Sequence, residues 1–132
     1  TWTHNGFGEV RTETDALGDT TVFERDVLGR VLWKNHDQDG TTTYEYDGQG
    51  ARGEIGRLTA ASSPDGVAMA YEYDARGRNT RTSWLVGSDT YEVGRTYDAF
   101  GRVRTIKYPP VPGRARFTLQ HAYTAVGYVR SI

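Results

Sequence analysis

"YEYDARGR" runs from Tyr71 to Arg78, "RTYDAFGR" from Arg95 to Arg102 and "FERDVLGR" from Phe23 to Arg30. A phrase written three times in one short chain signals a repeated structural unit. Its frame is an aromatic residue, Asp, two residues, Gly, Arg, and then a strand-like run. The copies Tyr73-Asp74…Gly77-Arg78 and Tyr97-Asp98…Gly101-Arg102 are complete, whereas Asp26…Gly29-Arg30 lacks the Tyr. Tyr46-Asp47 opens a further copy whose Gly56-Arg57 is delayed by six inserted residues. Tyr123…Gly127 is a degenerate copy, and His4-Asn5-Gly6-Phe7-Gly8-Glu9 a fainter one. The repeat glycines fall at 8, 29, 56, 77, 101 and 127, at spacings of 21, 27, 21, 24 and 26.

A second turn signal lies between the copies: Leu17-Gly18-Asp19, Asp37-Gln38-Asp39-Gly40, Pro64-Asp65-Gly66, Val86-Gly87-Ser88-Asp89 and Pro112-Gly113. Asp-Gly favours tight hairpins because Gly accepts positive φ. Each unit therefore reads as strand, turn, strand, turn. In the phrase turn the Asp caps backbone N–H groups, and the Gly takes the left-handed position. The connecting runs, among them residues 29–35, 41–47 and 101–108, are rich in β-branched and aromatic residues and carry no helical stripe. The expected fold is all-β and antiparallel, with about a dozen short strands.

Strict alternation along 101–108 sets Arg102, Arg104, Ile106 and Tyr108 against Val103, Thr105 and Lys107, and neither set is cleanly apolar. Residues 77–84 behave alike. A packed sandwich shows one strongly hydrophobic face. This pattern instead predicts one sheet with water on both sides, held by cross-strand aromatic and ionic pairs. Its open edges invite further pairing, head to tail, with neighbouring repeats of a parent chain or of other copies.

The chain has 132 residues, about one domain, with net charge −1. That balance is not the basic one of a nucleic-acid or membrane-surface binder. Residues 1–50 carry ten acids and four bases, and residues 51–132 seven acids and twelve bases. Without cysteine there is no disulfide scaffold, thiolate metal site or Cys nucleophile. No apolar run is long enough to span a membrane. The repeat is already running at Thr1 and still running at Ile132, so the chain reads as a piece of a longer protein, about six units over 1–132.

Tyr-Asp-x-x-Gly-Arg followed by a strand and an Asp-Gly turn resembles the YD repeat of the RHS (rearrangement hot spot) family, and residues 46–58 resemble its lengthened turn. The family includes Tc-toxin components, bacterial polymorphic toxins, wall-associated proteins and animal teneurins. The resemblance implies an antiparallel β-hairpin strip, a segment of a spiral shell that can enclose a toxic domain. It also implies a secreted or surface-delivered bacterial protein in which this segment has no enzymatic role and no cofactor. The family's self-cleavage module is built around Asp-Pro-x-Gly; no Asp-Pro occurs here, so that activity is not implied.

Other patterns have simpler readings. Gly48-x-Gly50-x-x-Gly53 has the spacing of a dinucleotide fingerprint but lacks the helix and βαβ unit that give the fingerprint meaning. Asn35, Asp37, Asp39 and Gly40 match the start of a calcium loop, yet its twelfth position is Tyr46, with Glu45 one residue early. His4, His36 and His121 have no metal-ligand spacing. Arg102, Arg104, Arg114 and Arg116, interleaved with aromatics, could grip a polyanion. Trp2, Trp33, Trp84 and nine Tyr could stack on sugars. These last two features make an open adhesive module for glycans or polyanions the alternative to a shell wall.

Overall fold

A computed structural model describes residues 1–48 and 53–132. It contains thirteen strands among the described residues: β1 Trp2–His4, β2 Val10–Thr14, β3 Thr20–Arg25, β4 Val31–His36, β5 Gly40–Tyr46, β6 Leu58–Ser62, β7 Ala68–Tyr73, β8 Asn79–Val86, β9 Asp89–Tyr97, β10 Val103–Lys107, β11 Thr118–Gln120, β12 Ala122–Tyr123 and β13 Val129–Ser131. The first eleven form one antiparallel sheet in chain order, and β12 pairs with β13. The ladder breaks at His121, but that residue's N–H still reaches Arg104 O at 2.8 Å.

A meander in chain order puts alternate turns on opposite long edges. The phrase turns line one rim, and the second turns line the other. All six phrase glycines have positive φ, as do Gly18, Gly40, Gly66, Gly87 and Gly113 of the second turns. The second rim borrows phrase chemistry in places. Asp15 Oδ1 accepts from Leu17 and Asp19 N–H, and Ser63 N–H bonds to Val67 O.

The expected alternation is corrected by a bulge. In each unit the strand after the phrase turn slips register by one residue, leaving Arg11, Leu32, Thr59, Thr80, Arg104 or Arg130 unopposed. This residue always stands three positions after the unit's glycine. The extra residue re-phases every side chain that follows, so alternation counted from the turn mixes two faces. Counted from the bulge, the faces separate. Tyr44, Ala61, Met69, Trp84 and Tyr91 are aligned across five strands on one side. Thr43, Ser62, Ala68, Leu85 and Thr90 are aligned on the other. The second face is laced by hydroxyl pairs: Thr43 with Ser62 at 2.7 Å, and Thr96 with Thr105 and Thr3 with Thr12, each at 2.6 Å. On it Arg81 bridges Glu72 on β7 and Glu92 on β9.

Among the described residues no hydrophobic side chain is buried, and Thr82 is the buried polar one. The accessible surface is 9322 Å². A compact protein of 14.7 kDa exposes roughly 6,900 Å². The single wet sheet expected from the sequence is what the chain builds.

Candidate functional site

The phrase turn is a closed network within a few residues. In the copy at Asp74, Oδ1 accepts from Arg76 N–H at 2.9 Å and Arg78 N–H at 3.0 Å, while Oδ2 accepts from Arg78 Nε at 2.7 Å. Asp74 N–H bonds to Arg78 O at 3.0 Å, and Gly77 N–H to Asp74 O at 2.8 Å. Asp26 with Arg30 and Asp98 with Arg102 repeat the same set. The faint copies keep the backbone part. Asn5 Oδ1 accepts from Phe7 and Glu9 N–H, and Thr124 Oγ1 accepts from Tyr128 N–H.

The guanidinium and backbone N–H groups around Asp74 hold its carboxyl down at about 2, led by the Arg78 side chain. For Asp26 and Asp98 partial burial pushes upward, but the bonds from Arg30 and Arg102 outweigh it, and both carboxyls lie below the ordinary range. Asp47 is lowered chiefly by Arg30 and then by Gly56 N–H, at 2.6 Å.

The lengthened copy solves the same problem differently. Asp47 has φ 66°, and its N–H still closes on Arg57 O at 3.0 Å, as in the short turns. The turn bond comes from Arg57 N–H to Glu54 O. Gly53 is buried against Asp74 of the next unit, where a Cβ would collide with the Asp74 carbonyl. Gly50, part of the dinucleotide-like spacing, lies outside the described residues.

The turns are also linked to one another. Each phrase Arg lies over the Tyr of the following unit: Arg30 over Tyr46 at 4.5 Å, Arg57 over Tyr73 at 5.5 Å, Arg78 over Tyr97 at 4.4 Å and Arg102 over Tyr123 at 4.2 Å. The Tyr hydroxyl then donates to the carbonyl just after that Arg. Tyr73 reaches Leu58 O at 2.7 Å, Tyr97 reaches Asn79 O at 2.6 Å and Tyr123 reaches Val103 O at 2.7 Å. At Tyr46 the link is ionic as well, since Arg30 grips both Asp47 oxygens at 3.1 and 2.8 Å. At Arg78 and Arg102 one guanidinium thus pairs with its own turn's Asp, rests on the next unit's ring, and covers the next unit's glycine. A Cβ at Gly77 would fall on the Arg57 guanidinium.

The ladder fails at its first step. Glu9 stands where Arg is expected and Arg25 where Tyr is expected. Arg25 Nη1 instead donates to Gly29 O at 2.9 Å.

The structure gathers the phrase residues and scatters the polyanion set. Arg102 is committed to Asp98 and Tyr123. Arg116 donates to the carbonyls of Tyr108 and Glu92, at 2.5 and 3.2 Å. Arg104 is the exposed bulge residue of its unit, and Arg114 sits in the turn closed by its own N–H on Val111 O. The calcium-like stretch is a hairpin in which Asp37 Oδ2 accepts from Thr20 N–H, and His36 Nδ1 from Gln38 and Asp39 N–H. Among the described residues no group of three or more His, Asp or Glu side chains is placed to hold a metal ion. The bulges and the Tyr hydroxyl bonds are the site features that sequence reading missed. The constant offset from the glycine was the available signal for the bulges.

No family model and no curated protein matches the chain. Solved structures do. The "Crystal Structure of TcdB2-TccC3-Cdc42" superposes on 97% of this chain with a TM-score of 0.77 at 17% identity. The "Crystal Structure of TcdB2-TccC3-TEV" superposes on 97% with a TM-score of 0.71 at 18% identity. This chain spans 6% of the length of each of those chains. At such identity the likeness is one of fold: an antiparallel, RHS-like β-hairpin strip.

Proposed function

We propose that this chain is a section of shell wall, a non-enzymatic segment of an RHS/YD-repeat β-shell within a larger secreted or surface-delivered bacterial protein. The observation that carries the reading is the inter-unit ladder. Asp, Gly, Arg and Tyr of each phrase are all engaged in closing a turn or tying it to the next one. A single-layer strip with this linkage extends by adding units, which suits a wall rather than a pocket. The likeness in fold to complexes described as containing TcdB2 and TccC3 supports a shell wall; a toxin or effector domain as its cargo is what the YD-repeat resemblance adds.

Limited proteolysis of the full-length parent protein tests it. Sequence downstream of these repeats should resist protease while the strip is intact, and become cleavable together with the strip on unfolding. Cleavage of the downstream segment under native conditions would refute enclosure. The adhesive alternative is separated by a heparin column. The shell reading expects no retention at physiological salt, where the Debye length is about 8 Å, whereas an adhesive surface is retained and loses retention when Arg104 and Arg114 are changed to Ser.

A further inference from the structure

The phrase rim carries a feature that turn closure uses only at Phe100, whose ring lies 4.9 Å from the Arg102 guanidinium. The residue just before each phrase glycine is Phe7, Leu28, Ile55, Arg76, Phe100 or Val126. All six are exposed. The five apolar ones are exposed by 92, 72, 64, 84 and 78% respectively. They recur every second strand, at a pitch of about 10 Å along the edge. Exposed apolar groups in a regular row mark a contact surface, whereas single scattered ones do not.

Three properties of this row select its occupant. The pitch calls for a partner with the same two-strand repeat. The phrase aspartates of the rim are paired internally, Asp26 and Asp47 with Arg30, Asp74 with Arg78 and Asp98 with Arg102, so these carboxylates add little like-charge repulsion where two such rims meet. Charge then sets the direction. Residues 1–66, the first three units, hold twelve acids and six bases, a net of −6; residues 67–132 hold five acids and ten bases, a net of +5.

We propose that the phrase rim docks onto the phrase rim of a second copy of this chain, antiparallel, about a two-fold axis between the third and fourth units. Phe7 then faces Val126, Leu28 faces Phe100, and Ile55 faces Arg76, so the one cation of the row never meets itself. Each acidic half lies beside a basic half. The contact is isologous and closes as a dimer. It differs from strand addition at β1, which would produce open chains and leave the rim uncovered. It does not depend on what the strip encloses.

Analytical ultracentrifugation of the 132-residue chain over about 1–100 μM tests the proposal. A monomer–dimer equilibrium that weakens with salt is expected, because part of the attraction is between oppositely charged halves. Phe7→Ser with Leu28→Ser and Val126→Ser should raise the dissociation constant about a hundredfold while circular dichroism stays unchanged, since these side chains are largely exposed in the strip. Trp2→Pro, which removes an N–H from the free edge of β1 because the flanking Thr1–Thr14 and Thr3–Thr12 pairs take the inward bonds, should leave the dimer intact. Direction is read by disulfide trapping, the chain having no cysteine of its own. A mixture of Phe7→Cys and Val126→Cys chains should cross-link, and Phe7→Cys alone should not. A monomer throughout the range, higher oligomers abolished by Trp2→Pro, or cross-linking of Phe7→Cys with itself would each overturn it.

Discussion

At the scale of single residues, the phrase is a set of short-range obligations. Gly77 illustrates two that coincide. Its φ of 74° disfavours any side chain, and the Arg57 guanidinium occupies the space a Cβ would take. Gly66 has a similar φ of 85° but nothing within 4 Å. Gly66→Ala should therefore cost about 1–2 kcal/mol, the strain alone. Gly77→Ala should cost more by about 0.5–1 kcal/mol, because Arg57 must leave the Tyr73 ring. Urea denaturation of both variants checks the difference, and equal losses would remove the guanidinium from the account. Asp74 makes a pH prediction. Its carboxyl is held at about 2 in the fold against 3.8 for the free group. Its ionised form therefore contributes stability above pH about 4, and that contribution disappears as pH falls through about 2. Asp74→Asn keeps an oxygen that can accept the Arg76 and Arg78 N–H bonds but does not titrate. The variant's midpoint should be lower than wild type at neutral pH and should converge with it in acid, measured by thermal melts from pH 7 to 2.

At the scale of elements, the bulge is the device that lets a strand leave a tight turn and still present the right face. Thr80 is the unopposed residue between Asn79, which pairs with Tyr73, and Arg81, which pairs with Glu72. Removing it by deletion would move every later residue of β8 by one, turning Arg81 toward the side of Tyr71 and Met69 and sending Trp84 to the Ala70 side. Deletion of Thr80 should abolish cooperative folding or lower the melting temperature by more than about 10 °C. Thr80→Ala keeps the residue count and should cost less than about 1 kcal/mol. A deletion as mild as the substitution would mean that the strand re-registers freely. The element scale also explains why the ladder takes one direction. The Arg ends a turn and points along the rim, while the Tyr precedes a turn on the next hairpin, so each Arg meets the ring of the unit after it.

For the whole molecule, stability is a sum of turns and neighbour contacts, since no buried hydrophobic side chain unites the described residues. That has a calorimetric consequence. An ordinary globular protein of 132 residues unfolds with a heat-capacity increase of about 1.6–2.0 kcal/mol/K, most of it from apolar surface newly exposed. A strip that already exposes its apolar side chains should fall below about 1.3 kcal/mol/K under conditions where it is monomeric. Differential scanning calorimetry of the dilute chain decides the matter. A full-sized increment would show that the faces are covered in solution.

What the sequence by itself determined is the set of turns. The bonds of a phrase turn run between Asp74 and Arg76, Gly77 and Arg78, so eight consecutive residues contain the whole cause. The same holds for the strands between turns and for their antiparallel order, because short connections leave few other pairings. The single sheet was expected from alternation counted across the bulges, a count that mixed the two faces; among the described residues the absence of a buried hydrophobic side chain is a finding of the structure. Which side chains share a face was decided only by the tertiary structure, because the bulge at Arg104 or Thr80 changes the phase without any residue of distinctive chemistry marking it. The pairing of Arg78 with Tyr97, or of Arg30 with Tyr46 and Asp47, was likewise decided there. Those partners are 16 to 19 positions apart in the sequence, and only the folded spacing of adjacent hairpins brings ring, guanidinium and carbonyl within reach of one another.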